Sequence, residues 1–212
     1  MEKIETGSKS VLKDVGLIVE TVVENLQVKR EVFQKIDSPC DKKTVFATNT
    51  SSLPIRALGE GLSRPLIGIH FFNQTPVLKL VEVISSSDIP CEMVENLMDA
   101  TRMLEKTPIE VKEAPGFVVN RVLISMINEA ISIYAEGVAS AEDIDTAMKL
   151  GGNHPMGPLE LADLIGLDIV FVILDVMLKE TGDVKYRPEA MLNRMVREKK
   201  LGKKNGKGFY KY

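Results

Sequence analysis

Two histidines, His70 and His154, are the only side chains of this 212-residue sequence that ordinarily titrate near neutral pH, so the search for an acid or base starts there. His70 lies near the end of an apolar run, Gly68-Ile69-His70-Phe71-Phe72-Asn73, and open parallel sheets bind ligands at their strand ends. Two readings stand open for it: a core histidine bonded to a backbone carbonyl, or a functional base. Glu82 weighs for the second, because Leu80-Val81-Glu82-Val83-Ile84 sets one carboxylate in an otherwise buried run, where an unpaired charge is expensive. Facing His70, Glu82 would fix one imidazole tautomer and stabilise the imidazolium formed when the ring takes a proton. Facing Lys79 or Arg121, it would be an ordinary salt bridge. His154 sits among turn residues, Gly152-Asn153-His154-Pro155-Met156-Gly157-Pro158, and reads as structural.

The other polar candidates are weaker. In Asn49-Thr50-Ser51-Ser52, small amide and hydroxyl groups follow a strand-like run and could bond a substrate oxygen or cap the next helix. Ser52, with Pro54 behind it, reads as the N-cap whether or not Ser51 does chemistry. Asn120 stands among apolar neighbours and must find a partner, either backbone or ligand. Glu142, Asp143 and Asp145 read as helix-surface acids. Lys199, Lys200, Lys203, Lys204 and Lys207 taken alone read as a solvated face. No set of His, Cys and carboxylates has metal-ligand spacing, so no metal is expected.

The elements that must position these groups fall into two blocks. Short β-branched runs at 15–23, 44–47, 66–72, 79–84 and 109–111 alternate with amphipathic stretches at 24–36 and about 92–104, the pattern of a parallel sheet with helices packed on it. From Pro115 onward strand signals cease. Residues 117–134 read as a helix apolar on nearly all sides, Ser140 with Asp143 as a cap opening a helix that Gly151-Gly152 stops, and Gly166 as a break beyond Pro158. The expected fold is α/β, an incomplete Rossmann-type parallel sheet over 1–113 followed by an all-helical domain over 114–212. Residues 167–178 offer more apolar surface than a small helical domain needs, which suggests a dimer interface. The formal charge of −3 is scattered without a long single-sign block, which argues against a nucleic-acid or membrane-surface partner. Cys40 and Cys91 form no CxxC pair, and neither a secretory signal nor a spanning segment is evident, so a reducing, cytoplasmic setting is expected, with the mitochondrial matrix open.

The order Asn49-Thr50-Ser51-Ser52, Gly68 to Asn73, Lys79 to Ile84 and Pro115-Gly116-Phe117-Val118-Val119-Asn120-Arg121 resembles the short-chain L-3-hydroxyacyl-CoA dehydrogenase family. Ile144-Asp145-Thr146-Ala147-Met148, Pro155-Met156-Gly157-Pro158-Leu159-Glu160-Leu161 and Gly206-Lys207-Gly208-Phe209-Tyr210 extend the likeness over practically the whole chain. The resemblance implies an NAD-linked oxidoreductase of fatty-acid and butanoate metabolism, NADP being open, with an acyl-CoA substrate held between a Rossmann domain and helices that form a homodimer. By the same likeness His70 is the base, Glu82 orients it, Ser51 and Asn120 bond the C3 oxygen, and Glu24, Lys29, Ser51, Asn73 and Lys204 lie near the cofactor; helix pairing is the competing role for Glu24 and Lys29.

One departure stands out: the family's opening strand and G-x-G-x-x-G turn, which seats a pyrophosphate on a helix N-terminus, are not in this sequence. That leads to the expectation of weak NAD binding and slow turnover by this polypeptide alone. A truncated relative serving as a crystallin-like structural protein or an acyl-CoA-binding dimer is the competing non-enzymatic reading. Dehydrogenases of the 3-hydroxyisobutyrate type share the layout but use a lysine base, against which the His70 and Glu82 pair argues.

Overall fold

The structure is a computed structural model describing residue 12 and residues 15–72 and 77–212; it divides into a first unit ending at Phe117 and a second running from Val118 to Tyr212. The first unit is built on a five-stranded sheet in the order β1 (Leu17–Glu20), β2 (Val45–Asn49), β3 (Leu66–Phe71), β4 (Leu80–Ser85) and β5 (Thr107–Lys112). β1, β2 and β3 run parallel, as expected, but β4 is antiparallel to β3, and β5 is parallel to β4. The reversal has a covalent cause: residues 72–79 are too short a link for a parallel crossover, which takes about a dozen residues or more. The run expected at 15–23 is regular strand only over Leu17–Glu20.

Three helices connect these strands: α1 (Leu26–Asp37), α2 (Ile55–Gly59) and α3 (Cys91–Met103). Asn25 caps α1 by accepting from the Val28 N–H. The cap expected from Ser52 is not made. Pro54 holds the N-cap position of α2 without a side-chain bond, and it is the Thr50 hydroxyl that accepts from the N–H groups of Ser52 (3.3 Å) and Leu53 (2.9 Å). Ser52 is spent in the turn because Thr50, two residues earlier and buried, is better placed to bend the chain out of β2.

Alternation along the strands sorts the core into two faces. Ala47, Ile67, Ile69, Val81 and Val83 pack with Val94 and Leu97 of α3, whereas Phe46, Leu66 and Ile84 pack with Phe33 of α1 and with Ile55 and Leu58 of α2. Gly68 permits the second arrangement, since a Cβ there would meet Ile55 Cδ1 and Ile84 Cβ at 2.8 Å. On this face the apolar residues give way to polar ones toward the end of the parallel strands: Glu20 stands in register with Thr48, which faces Gly68, and two residues beyond Gly68 His70 pairs with Glu82.

The second unit consists of α4 (Val119–Ala135), α5 (Ala141–Leu150), α6 (Pro158–Ile165), α7 (Leu167–Thr181) and α8 (Ala190–Arg197) around Ile127, Ile131, Leu159, Leu167, Leu174 and Met177. Ser140 caps α5 through the Asp143 N–H, α5 ends at Gly151, and Gly166 at φ 105° separates α6 from α7, all as expected. The helix expected to be buried all round is not. Val122 is 67 % exposed, and Phe117 adopts a positive φ of 48° outside the helix. Asp145, expected on the surface, is 2 % exposed and accepts from the N–H groups of Leu159 (2.8 Å) and Glu160 (2.9 Å), satisfying two orphan donors at the start of α6.

Asp163 of α6 plays the corresponding part for the C-terminal segment. It is fully buried and accepts from the N–H groups of Phe209 (3.0 Å) and Tyr210 (2.9 Å) and from the Tyr212 hydroxyl, while the Tyr210 hydroxyl donates to Asp145. A Cβ on Gly208 would overlap the Asp163 carboxylate, which is why that position is glycine. Burial, reinforced by the nearby Asp163 charge, pushes the Tyr212 phenol from 10.0 up to about 12, and burial together with the Asp145 bond pushes Tyr210 up as well.

A raised phenol pKa in the folded state means that its contribution to stability is fully present below the unfolded value of 10.0 and is lost as pH rises through about 12. Circular-dichroism melts of the helical unit should therefore weaken across that interval. The Tyr210→Phe/Tyr212→Phe protein should lose this part of the pH dependence, and an identical slope in both proteins would contradict the assignment.

Candidate active site

His70 and Glu82 occupy opposed register positions on β3 and β4, and β-sheet geometry alone brings their side chains together on the same face. His70 Nδ1 lies 2.7 Å from Glu82 Oε2; the imidazole is 3 % exposed and the carboxylate residue has no exposure. Glu82 thus pairs with the histidine, and Arg121 donates to the Tyr186 hydroxyl at 2.8 Å. A carboxylate can only accept, so Nδ1 carries the hydrogen and Nε2 keeps its lone pair. Phe72 and Phe117 flank the ring at centroid distances of 4.3 and 5.7 Å, restricting its rotation and excluding water from its faces.

Glu24, Asn49 and Ser51 gather at the neighbouring strand ends. The Glu24 carboxylate accepts from the Thr50 hydroxyl (2.5 Å) and the N–H groups of Ser51 (2.9 Å) and Ser52 (3.2 Å), so it ties the segment after β1 to the turn after β2. Lys29 lies behind this turn. Its ammonium, fully buried, donates to both Glu20 oxygens at 3.0 Å, to the Asn49 carbonyl at 2.8 Å and to the Val22 carbonyl at 3.3 Å, with Glu24 at 3.7 Å. Neither Lys29 nor Glu24 is engaged in helix pairing.

Asn120 and Lys204 belong to the second unit. Asn120 is in the first turn of α4 and 9 % exposed; Lys204 is in a short 3₁₀ turn, Lys203–Asn205, paired with Asp168 at the start of α7. Asn73 lies outside the described residues. The described residues hold no group of His, Cys and carboxylates fit for a metal ion, and none of their helices is long and apolar enough to cross a membrane.

Sequence reasoning missed Glu20, whose side chain accepts from Lys29 and, at 2.7 Å, from the Thr48 hydroxyl. The signal was present: Ile18-Val19-Glu20-Thr21-Val22 repeats the lone carboxylate in an apolar run that singled out Glu82.

The donor set at this edge suits the hydroxyl- and amide-bearing nicotinamide riboside half of a dinucleotide. Glu24, the Asn49 amide and Ser51 supply neutral or acceptor groups, while the cation that would favour a phosphate, Lys29, is already committed to protein oxygens. Comparison with known proteins identifies the family. The model of the 3-hydroxyacyl-CoA dehydrogenase NAD binding domain matches residues 2–114, and that of the 3-hydroxyacyl-CoA dehydrogenase C-terminal domain matches residues 116–212. The chain belongs to the 3-hydroxyacyl-CoA dehydrogenase family.

Among its relatives is a 3-hydroxybutyryl-CoA dehydrogenase of Clostridioides difficile, 51 % identical over 203 residues that span 95 % of this chain and 72 % of the relative. The mitochondrial hydroxyacyl-coenzyme A dehydrogenase of Homo sapiens is 46 % identical over 210 residues, 98 % of this chain and 67 % of that protein. The crystal structure of (S)-3-hydroxybutyryl-CoA dehydrogenase PaaH1 from Ralstonia eutropha superposes with a TM-score of 0.95 at 42 % identity, covering 98 % of this chain and 74 % of that one.

Because Lys29 and Glu20 neutralise each other out of water, removing one partner is far worse than removing both. Lys29→Met should destabilise the first unit by about 3–5 kcal/mol in urea unfolding, and Glu20→Leu/Lys29→Met should recover most of that loss. Equal losses in the single and double variants would show that the pair does not act as a unit.

Proposed function

We propose that this protein interconverts a short-chain 3-hydroxyacyl-CoA, such as 3-hydroxybutyryl-CoA, and the corresponding 3-ketoacyl-CoA, with His70 as the general base. The observation that carries this reading is the fully buried carboxylate on Nδ1, 2.7 Å away, which leaves Nε2 as the proton acceptor at the strand edge. Residues 1–113 serve as the NAD-binding portion and residues 114–212 as the substrate and dimerisation portion.

In the oxidative direction His70 Nε2 takes the proton of the substrate's C3 hydroxyl as the C3–O bond gains carbonyl character. Glu82 holds the ring in the tautomer that can do this, and the resulting imidazolium sits against its carboxylate, which lowers the energy of the charged state. Phe72 and Phe117 keep bulk water from competing for the proton. Ser51 and Asn120 act as hydrogen-bonding groups for the C3 oxygen. Bound NAD supplies the hydride acceptor. Glu24, Ser51, Asn73 and Lys204 would hold it, and Lys29 would act from behind them by fixing Glu24, the segment after β1 and the end of β2.

The second unit supports a homodimer in this reading, because Leu164, Ile169 and Val172 of α6 and α7 are 41 %, 40 % and 53 % exposed and offer apolar area for a second copy. Sedimentation at micromolar concentration should give a dimer, and a monomer there would remove this part of the proposal.

Acetoacetyl-CoA-dependent loss of NADH absorbance measures the activity directly. His70→Gln should lower kcat by about two orders of magnitude or more, with a much smaller change in KM. A variant with near-full rate would exclude His70 as the base.

A further inference from the structure

The β2–β3 ladder ends where Asn49 stands opposite Ile69, one residue short of His70. On its other side His70 is held by the antiparallel ladder to β4, opposite Glu82. Toward β2, the next N–H of β3 is that of Phe71, and its acceptor is not a main-chain carbonyl but the Asn49 side chain, with Oδ1 at 3.1 Å. The Asn49 carbonyl is turned the other way, onto the buried Lys29 ammonium at 2.8 Å, and Lys29 is in turn held by Glu20. A continuous set of bonds thus runs from α1 across the ends of β1 and β2 to the peptide that follows His70.

We infer that Asn49 is a positioning residue for His70, acting through the acceptor Oδ1 that locks the Phe71 N–H. The inference rests on the reading of His70 as the base and names a different residue for a different task. Its physical basis is that β3 has only one strand to hold it at His70: β4 sets the His70–Glu82 distance, while Asn49 sets the lateral position and tilt of the strand end. Where a base must meet a proton within hydrogen-bond reach, a displacement of about 1 Å costs up to about a hundredfold in rate. The amide Nδ2 of the same side chain faces a competing role, direct contact with a bound molecule, and the two roles are separable because aspartate keeps the acceptor and loses the donors.

The test uses the full chain, comparing Asn49→Asp and Asn49→Leu with the parent. Exchange of the Phe71 amide, read by ¹⁵N NMR, should accelerate about tenfold or more in Asn49→Leu and stay within about threefold in Asn49→Asp, since an exposed N–H loses the protection a hydrogen bond gives. In the acetoacetyl-CoA assay kcat should fall about tenfold or more in Asn49→Leu, with KM for the acyl-CoA within about threefold, and Asn49→Asp should recover most of the lost kcat. Unchanged Phe71 exchange in Asn49→Leu would overturn the inference, as would an Asn49→Asp protein as slow as Asn49→Leu, which would make Nδ2 a ligand contact. Should His70→Gln leave the rate unchanged, the reading of His70 fails, while the exchange data still decide whether Asn49 holds the strand end.

Discussion

A carboxylate taken out of water must be met by a cation or by several hydrogen-bond donors, and among the described residues four are buried: Glu20, Glu82, Asp145 and Asp163. Each is satisfied in a different way, and each solution organises its surroundings. Glu82 recruits an imidazole, Glu20 an ammonium and a hydroxyl, Asp145 the start of a helix, and Asp163 the backbone of the C-terminal segment. The first two lie on one face of the sheet at strand positions that alternation turns toward the same side. The chemistry of the site and the rigidity behind it are therefore two outcomes of one constraint.

The sheet separates these tasks along its strands. Phe46, Leu66 and Ile84 form a dry layer with α1 and α2, and each fully buried side chain of this size contributes about 1.5–3 kcal/mol relative to exposure. Further along the strands the same face becomes polar, with Glu20 and Thr48 in register with Gly68 and the His70–Glu82 pair two residues beyond it. Apolar packing sets the sheet, and the polar groups inherit its precision. A cavity of about 390 Å³ lined by Arg56, Glu60, Arg64, Leu66 and Asp88 opens at the start of β3, away from His70. Its most buried cation, Arg64, is consumed by Asp37 and by the carbonyls of Asp37, Asp41 and Thr44.

The helical unit shows the constraint acting on tertiary structure. Asp145 joins α5 to the start of α6, and Asp163 joins α6 to the segment that carries Phe209 and Tyr210, so residues remote in sequence are fastened through carboxylates instead of through apolar area alone. Glycines at 157 and 208 leave room for those carboxylates, since a Cβ at either position would overlap one.

Local pattern was enough to read much of this. The lone Glu82 in an apolar run, His70 near a strand end, the Ser140 cap, and the breaks at Gly151 and Gly166 are all properties of neighbouring residues, and such properties are written in sequence. The reversal of β4 was implicit in the brevity of the link at 72–79. What sequence could not state was which distant group answers each buried charge. That His70 answers Glu82 depends on β3–β4 register, that Lys29 answers Glu20 on where α1 packs across β1, and that Asp145 is interior on the docking of α6 and the C-terminal segment. The role of Asn49 arises because the β2–β3 ladder stops at that residue. Register, docking and termination are settled by long-range packing, and so the residues were legible while their partnerships were decided by the fold.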